Sequence, residues 1–299
     1  MQNFTSTDVA VLALELLPAV VLGLAGGRAA KATERWPRSL RIFVPVILVL
    51  PYAWIAHSHQ MFSWTWFALY AFLPPVIAGL LMWAAAEDPD EHGSWQDALI
   101  LLALGLAVDL RWLESAWPAG LAGLGKLLLV AAALYGFVTI RQLHGTGFDF
   151  HFRWSDCKTG LRELLFFTPI VIGLGLALGF LHPHANSPRF SMPLTWVYIF
   201  VFIAVPEELF FRAWVQNLLE RRLSLRLSPA AARTISLIVS SILFGLSHFN
   251  KRSAHFNWRY VILAAIAGIF YGRAWREDRR IPASSITHAS VDFIWSVWF

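Results

Sequence analysis

Val205-Pro206-Glu207-Glu208-Leu209-Phe210-Phe211-Arg212 lies inside the apolar run 194–219, which is long enough to cross a bilayer as a helix. Three ionisable side chains in six residues do not belong in lipid. A charge near a helix centre costs about 2.5–3.5 kcal/mol on insertion scales, so such residues face a bundle interior and mark function. The run therefore reads as a membrane helix with one face turned inward.

The rest of the chain agrees. Of its 299 residues, 57% are hydrophobic and 14% charged, where soluble domains carry about 25% charged residues. Ten apolar segments fall near residues 9–26, 42–56, 64–86, 98–113, 119–140, 164–181, 194–219, 234–248, 260–275 and 283–298. The second, fourth, eighth and tenth are short or interrupted. The fold class is thus all-α, a polytopic bundle of eight to ten transmembrane helices, because an open sheet cannot satisfy its backbone in lipid. Fifteen tryptophans and 23 phenylalanines suit lipid contact and interfacial belts. The first segment lacks a basic start and a small-residue cleavage site, so it reads as an anchor.

A pI near 9.7 does not imply nucleic acid, since the basic residues sit in short loops. Arg28 to Arg41, Arg141 to Arg162, Arg221 to Arg233 and Arg273 to Arg280 fall on one side of a ten-span topology, the cytoplasmic side by the positive-inside rule. Lys251, Arg252 and Arg259 fall on the other. The single cysteine, Cys157, excludes an internal disulfide. Residues 144–162 form the most polar stretch and read as a linker or surface helix. It divides residues 1–150, poor in intramembrane charge, from residues 151–299, which hold the suspicious groups. Gly175 and Gly179 form a G-x-x-x-G, expected to permit close helix approach.

Two further apolar segments carry histidines, in Phe244-Gly-Leu-Ser-His248 and His288-Ala-Ser-Val-Asp292. Glu208 and Arg212 stand at i,i+4, the spacing of an ion pair on one helical face. Glu207 points about 100° away and becomes the carboxyl that this pairing does not use. A carboxyl in an apolar cavity is raised by desolvation towards the range of a general acid or base. Pro206 lacks an amide hydrogen and predicts a kink. His288 and Asp292 are again i,i+4, so the carboxyl can orient the imidazole and set its tautomer.

The set Glu-Glu-x-x-x-Arg, Phe-x-x-x-His and His-x-x-x-Asp, each on its own membrane helix, resembles the CPBP family. That family comprises the type II CAAX prenyl endopeptidases and the related bacteriocin-processing and immunity proteins, also called Abi. The likeness covers about the last third, with its motifs within residues 194–299. It makes residues 151–299 a protease core and residues 1–150 a set of N-terminal helices that varies among such proteins. It implies a multi-pass protein of the bacterial inner membrane, acting on a peptide or protein substrate that is membrane-associated or lipid-modified. It implies no cofactor and no metal.

On that likeness Glu207, with His248, activates a water, while His288 and position 292 stabilise the oxyanion. Glu208, Arg212 and Phe244 support the site. Position 292 is often Asn in the prenyl-protein proteases. Here an ionised Asp292 cannot donate a hydrogen bond, so the expectation is that it is either protonated or holds His288 so that the imidazole donates alone. Other readings remain open. Glu207, His248 and His288 make a two-His, one-carboxylate set of the kind zinc uses, although no His-Glu-x-x-His is present. A non-catalytic immunity or scaffold protein can bind a peptide in the same cavity. A proton-relay transporter is opposed by the lack of repeat symmetry.

Overall fold

The computed structural model describes residues 5–184, 192–251 and 256–299; Arg252 lies outside them. Among the described residues every regular element is helical. The helical stretches are α1 (Ser6–Glu34), α2 (Arg38–Ser58), α3 (Trp64–Glu87), α4 (Trp95–Asp109), α5 (Gly123–Ile140), α6 (Trp154–Ala177), α7 (Met192–Leu223), α8 (Pro229–Leu246), α9 (Trp258–Asp278) and α10 (Ile281–Trp298). Each holds one of the ten apolar segments. All but α4, α9 and α10 are long and apolar enough to cross a membrane, which makes seven candidate spans. α4 has only 15 residues. α9 and α10 are diluted by arginines and by the polar groups of the candidate site. Trp64, Phe72 and Leu165 are each more than 70% exposed, a surface that suits lipid and not water.

The chain forms two compact units, Met1–His144 and Gly145–Phe299. In the first, α1 and α3 pack against α5. Tyr52, Tyr70 and Trp117 cluster in its interior, and Trp117 Nε1 donates to the Tyr70 hydroxyl at 2.8 Å. Buried Arg141 ties the α3–α4 turn to the end of α5, with Nη2 at 2.5 Å from Asp88 and 3.1 Å from Asp97. Asp97 also closes the capping box of α4 with Ser94, which satisfies two orphan amides at the helix start.

In the second unit α9 is central, packed on α6, α8 and α10. Phe167, Phe211, Phe244, Phe270 and Tyr271 fill the core around it. α8 and α9 approach closely because Gly268 has no side chain: a Cβ there would stand 3.0 Å from the Ser241 Cα. Gly175 and Gly179 do not join two helices. Gly179 takes the left-handed conformation (φ +60°) after the end of α6, and the Phe180 amide bonds the Gly175 carbonyl at 2.9 Å. The pair therefore terminates its own helix, a role that glycine fills without Cβ strain.

The polar stretch 144–162 is likewise more than a linker. Buried Arg280, at the α9–α10 corner, donates Nε to Asp156 Oδ1 at 2.6 Å, and it reaches Asp149 and the His151 carbonyl at 2.9 and 2.7 Å. The Ile281 amide bonds the Gly147 carbonyl, and Trp275 Nε1 bonds the Thr146 carbonyl, each at 2.9 Å. Charge read along the chain suggested solvent exposure, but these charges are spent on holding the corner.

Candidate active site

α7 is not a uniform α-helix. Phe200–Ala204 and Leu209–Gln216 are π-helical and flank the short α-helical turn Val205–Glu208. Pro206 supplies no amide hydrogen, and the helix answers by widening its turns. Such π segments recur at functional sites. The spacing of the charged pair survives, with Arg212 Nε donating to Glu208 Oε2 at 2.9 Å and both side chains fully buried. Arg212 also lies 5.5 Å from the Phe244 ring centroid, and its Nη1 points towards Ser240 Oγ at 3.4 Å.

Glu208 has a second oxygen, and His288 uses it. His288 Nδ1 stands 2.9 Å from Glu208 Oε1, so α7 orients the imidazole of α10. Asp292, one turn along α10, has Oδ2 3.6 Å from the other ring nitrogen, Nε2. The sequence reading spent Glu208 on Arg212 alone, yet a carboxylate offers about four acceptor positions. Glu207 approaches the same face, with Oε2 3.9 Å from His288 Nε2. Its Oε1 is 3.9 Å from Lys251 Nζ. The carboxyl that the Glu208–Arg212 pairing leaves over thus has a lysine and an imidazole beside it. Lys251 follows the end of α8 and comes near only through the fold.

His248 lies just beyond α8. Its Nδ1 stands 2.8 Å from the Phe244 carbonyl. That carbonyl can only accept, which makes Nδ1 the donor, so that in the neutral ring Nε2 carries the lone pair. Phe244 joins the parts: its ring contacts His248 (centroids 4.8 Å apart), His288 (5.5 Å, perpendicular) and Tyr271 (5.7 Å). Tyr271 stacks on His288 at 4.5 Å and 14°, and Tyr260 meets the edge of His248 at 4.8 Å. Neither tyrosine belongs to a motif, and nothing in the local sequence singles them out.

Phe244, His248, Tyr260, Tyr271, His288 and Asp292 line one cavity of about 70 Å³, bordered otherwise mainly by apolar side chains of α6, α9 and α10 and by Phe180 and Leu181. A water needs about 10–15 Å³ of such space and two to four polar partners, and the cavity supplies both. Glu207 is not among the lining residues and approaches through His288. Among the described residues no group of three or more His, Cys, Asp or Glu side chains is arranged to hold a metal ion.

The first unit, expected to be poor in intramembrane charge, holds one buried acid that the motif reading passed over. Glu15, in α1, is 2% exposed, and neither carboxyl oxygen has a hydrogen-bond partner among the described residues. A lone acid between leucines in an apolar run is a signal the sequence already carried.

The fold and the site together define a multi-pass helical membrane protein with a buried glutamate–arginine–histidine centre. Residues 189–294 match the family described as Rce1-like, type II CAAX prenyl endopeptidase Rce1-like. This C-terminal segment is thus similar to the CAAX-type membrane proteases of the CPBP group. No curated protein and no solved structure matches the chain.

Proposed function

We propose that the chain is an intramembrane endopeptidase of the glutamate-dependent type. It hydrolyses a peptide bond of a membrane-associated or lipid-modified peptide, with residues 151–299 as the working part. The observation that carries this reading is the surround of His288. Glu208 takes Nδ1, while Glu207 and Asp292 flank Nε2 at 3.9 and 3.6 Å. Carboxylates of α7 and α10 thus surround an imidazole that, like His248, borders the cavity.

Glu207, aided by the Nε2 lone pair of His248, takes a proton from a water. The water oxygen bonds the peptide carbonyl carbon, and the carbonyl π pair moves onto its oxygen. An imidazolium at His288 keeps Nδ1–H on Glu208 and offers Nε2–H to that oxyanion. Collapse breaks the C–N bond as the amide nitrogen receives the proton held by the base. Asp292, an acceptor when ionised, supports the imidazolium and makes no contact with the oxyanion.

The test is cleavage of lipid-modified reporter peptides by the full chain in proteoliposomes, read by mass spectrometry. Glu207→Gln is expected to fold and to lose activity by about 10²–10⁴-fold, the range of one general base. A folded Glu207→Gln protein that cleaves at the normal rate refutes the assignment. Activity that disappears on exhaustive chelation and returns with zinc supports the metalloprotease reading instead. Peptide binding with no cleavage supports an immunity or scaffold role.

A further inference from the structure

A second concavity in the C-terminal unit lies away from the candidate active site. It is a cleft of about 770 Å³ between the first turns of α6 and α8 and the last turns of α9. Arg162, Arg233, Arg273, Arg276 and Arg279 line it, with Leu237 and Ile269 as an apolar wall. Three carboxylates answer these five guanidiniums. Glu163, 1% exposed, holds Arg273 Nε at 2.9 Å and Arg162 at 3.0 Å. Glu277 also pairs with Arg162, and Glu220 pairs with Arg279 and stands 3.7 Å from Arg233. Two positive charges remain in surplus. Arg276 donates Nη1 to the Arg233 carbonyl at 3.3 Å, and Arg233 is 59% exposed.

Arginines at the cytoplasmic ends of spans need no ligand to explain them, and those at the end of α9 also suit its helix dipole. Convergence of five in one cleft is a different matter. Like charges repel there, and buried Glu163 fixes two of them in place. Planar guanidinium forks match phosphate oxygens, and basic pockets between membrane helices suit phosphate headgroups. We propose that this cleft binds a phosphate-bearing anion, whether a lipid headgroup or a free phosphate, through Arg233 and Arg276 with Arg162, Arg273 and Arg279 as its fixed wall. The anion neutralises the surplus charge, and Leu237 and Ile269 accept the apolar part of a lipid.

The experiment uses the full chain in phosphatidylcholine nanodiscs. Phosphatidylglycerol in the bilayer and inorganic phosphate in solution are the two probes, read by thermal stability and by native mass spectrometry. Wild type is expected to be stabilised by one of them; which one identifies the source. Arg233→Gln/Arg276→Gln is expected to weaken that response by about tenfold or more for each of the two charge-assisted bonds lost. It should melt normally in phosphatidylcholine alone. If the double variant is poorly folded, Arg276→Gln alone serves. Arg35→Gln/Arg38→Gln removes the same charge elsewhere and should respond as wild type. The proposal is overturned if neither probe binds, if the cleft variant responds as wild type, or if the control pair weakens binding equally.

Discussion

At the residue scale, Glu208 is the pivot, because its two oxygens serve two partners, Arg212 and His288. Removing one member of a buried pair leaves an uncompensated charge and costs about 3–5 kcal/mol, whereas replacing both by apolar groups is often neutral. Arg212→Ala is therefore expected to yield little folded protein. Arg212→Met/Glu208→Leu should melt close to wild type yet be inactive, because His288 loses the bond at Nδ1. Thermal melting and reporter cleavage on the same preparations check this, and equal loss of fold in single and double variants would contradict it. Glu15 makes the opposite case. Its buried carboxyl has no hydrogen-bond partner among the described residues, so it adds a desolvation cost of about 1–3 kcal/mol without return. Glu15→Leu is expected to raise the melting temperature of the full chain. A lower one would assign the carboxyl a working partner.

The elements were legible in the sequence to different depths. Each of the ten apolar segments lies mostly in a helix, and in the seven that are long and apolar enough to span, length and hydropathy suffice where every backbone group must bond internally. The π turns of α7 were not legible. Proline predicts a disturbance, but whether a helix kinks or widens depends on what packs around it. Gly147 illustrates the same limit in a loop. It adopts φ +71°, and a Cβ there would overlap the Arg279 carbonyl. Gly147→Ala is expected to destabilise by about 1–3 kcal/mol. Gly173→Ala, inside α6 with open space around it, should be neutral or gain up to about 1 kcal/mol. Comparative melting of the two proteins decides whether the 144–153 strap holds the α9–α10 corner.

For the whole molecule, that strap carries a pH dependence. Burial raises the Asp149 carboxyl, but the His151 amide, the His151 ring and Arg280 more than offset it, and the group is held at about 2 from an ordinary 3.8. A carboxyl lowered in the folded state binds fewer protons than in the unfolded chain. Its stabilisation is thus complete above pH 3.8 and disappears as pH falls through about 2. Asp149→Asn should melt below wild type near neutral pH, and the gap should close as the pH falls from about 4 towards 2. A gap independent of pH would remove Asp149 from the account.

The sequence by itself determined the helical membrane class, the three motif segments and the i,i+4 partnership of Glu208 with Arg212. These follow from hydropathy and from the 100° step of a helix, both local properties of the chain. Only the tertiary structure decided which ring nitrogen of His288 meets which carboxylate, brought Lys251 to Glu207, stacked Tyr271 on the imidazole and gathered five arginines in one cleft. Each of those depends on how helices distant in sequence are rotated against one another. That rotation is set by close packing such as Gly268 on Ser241, to which no single helix's pattern gives access.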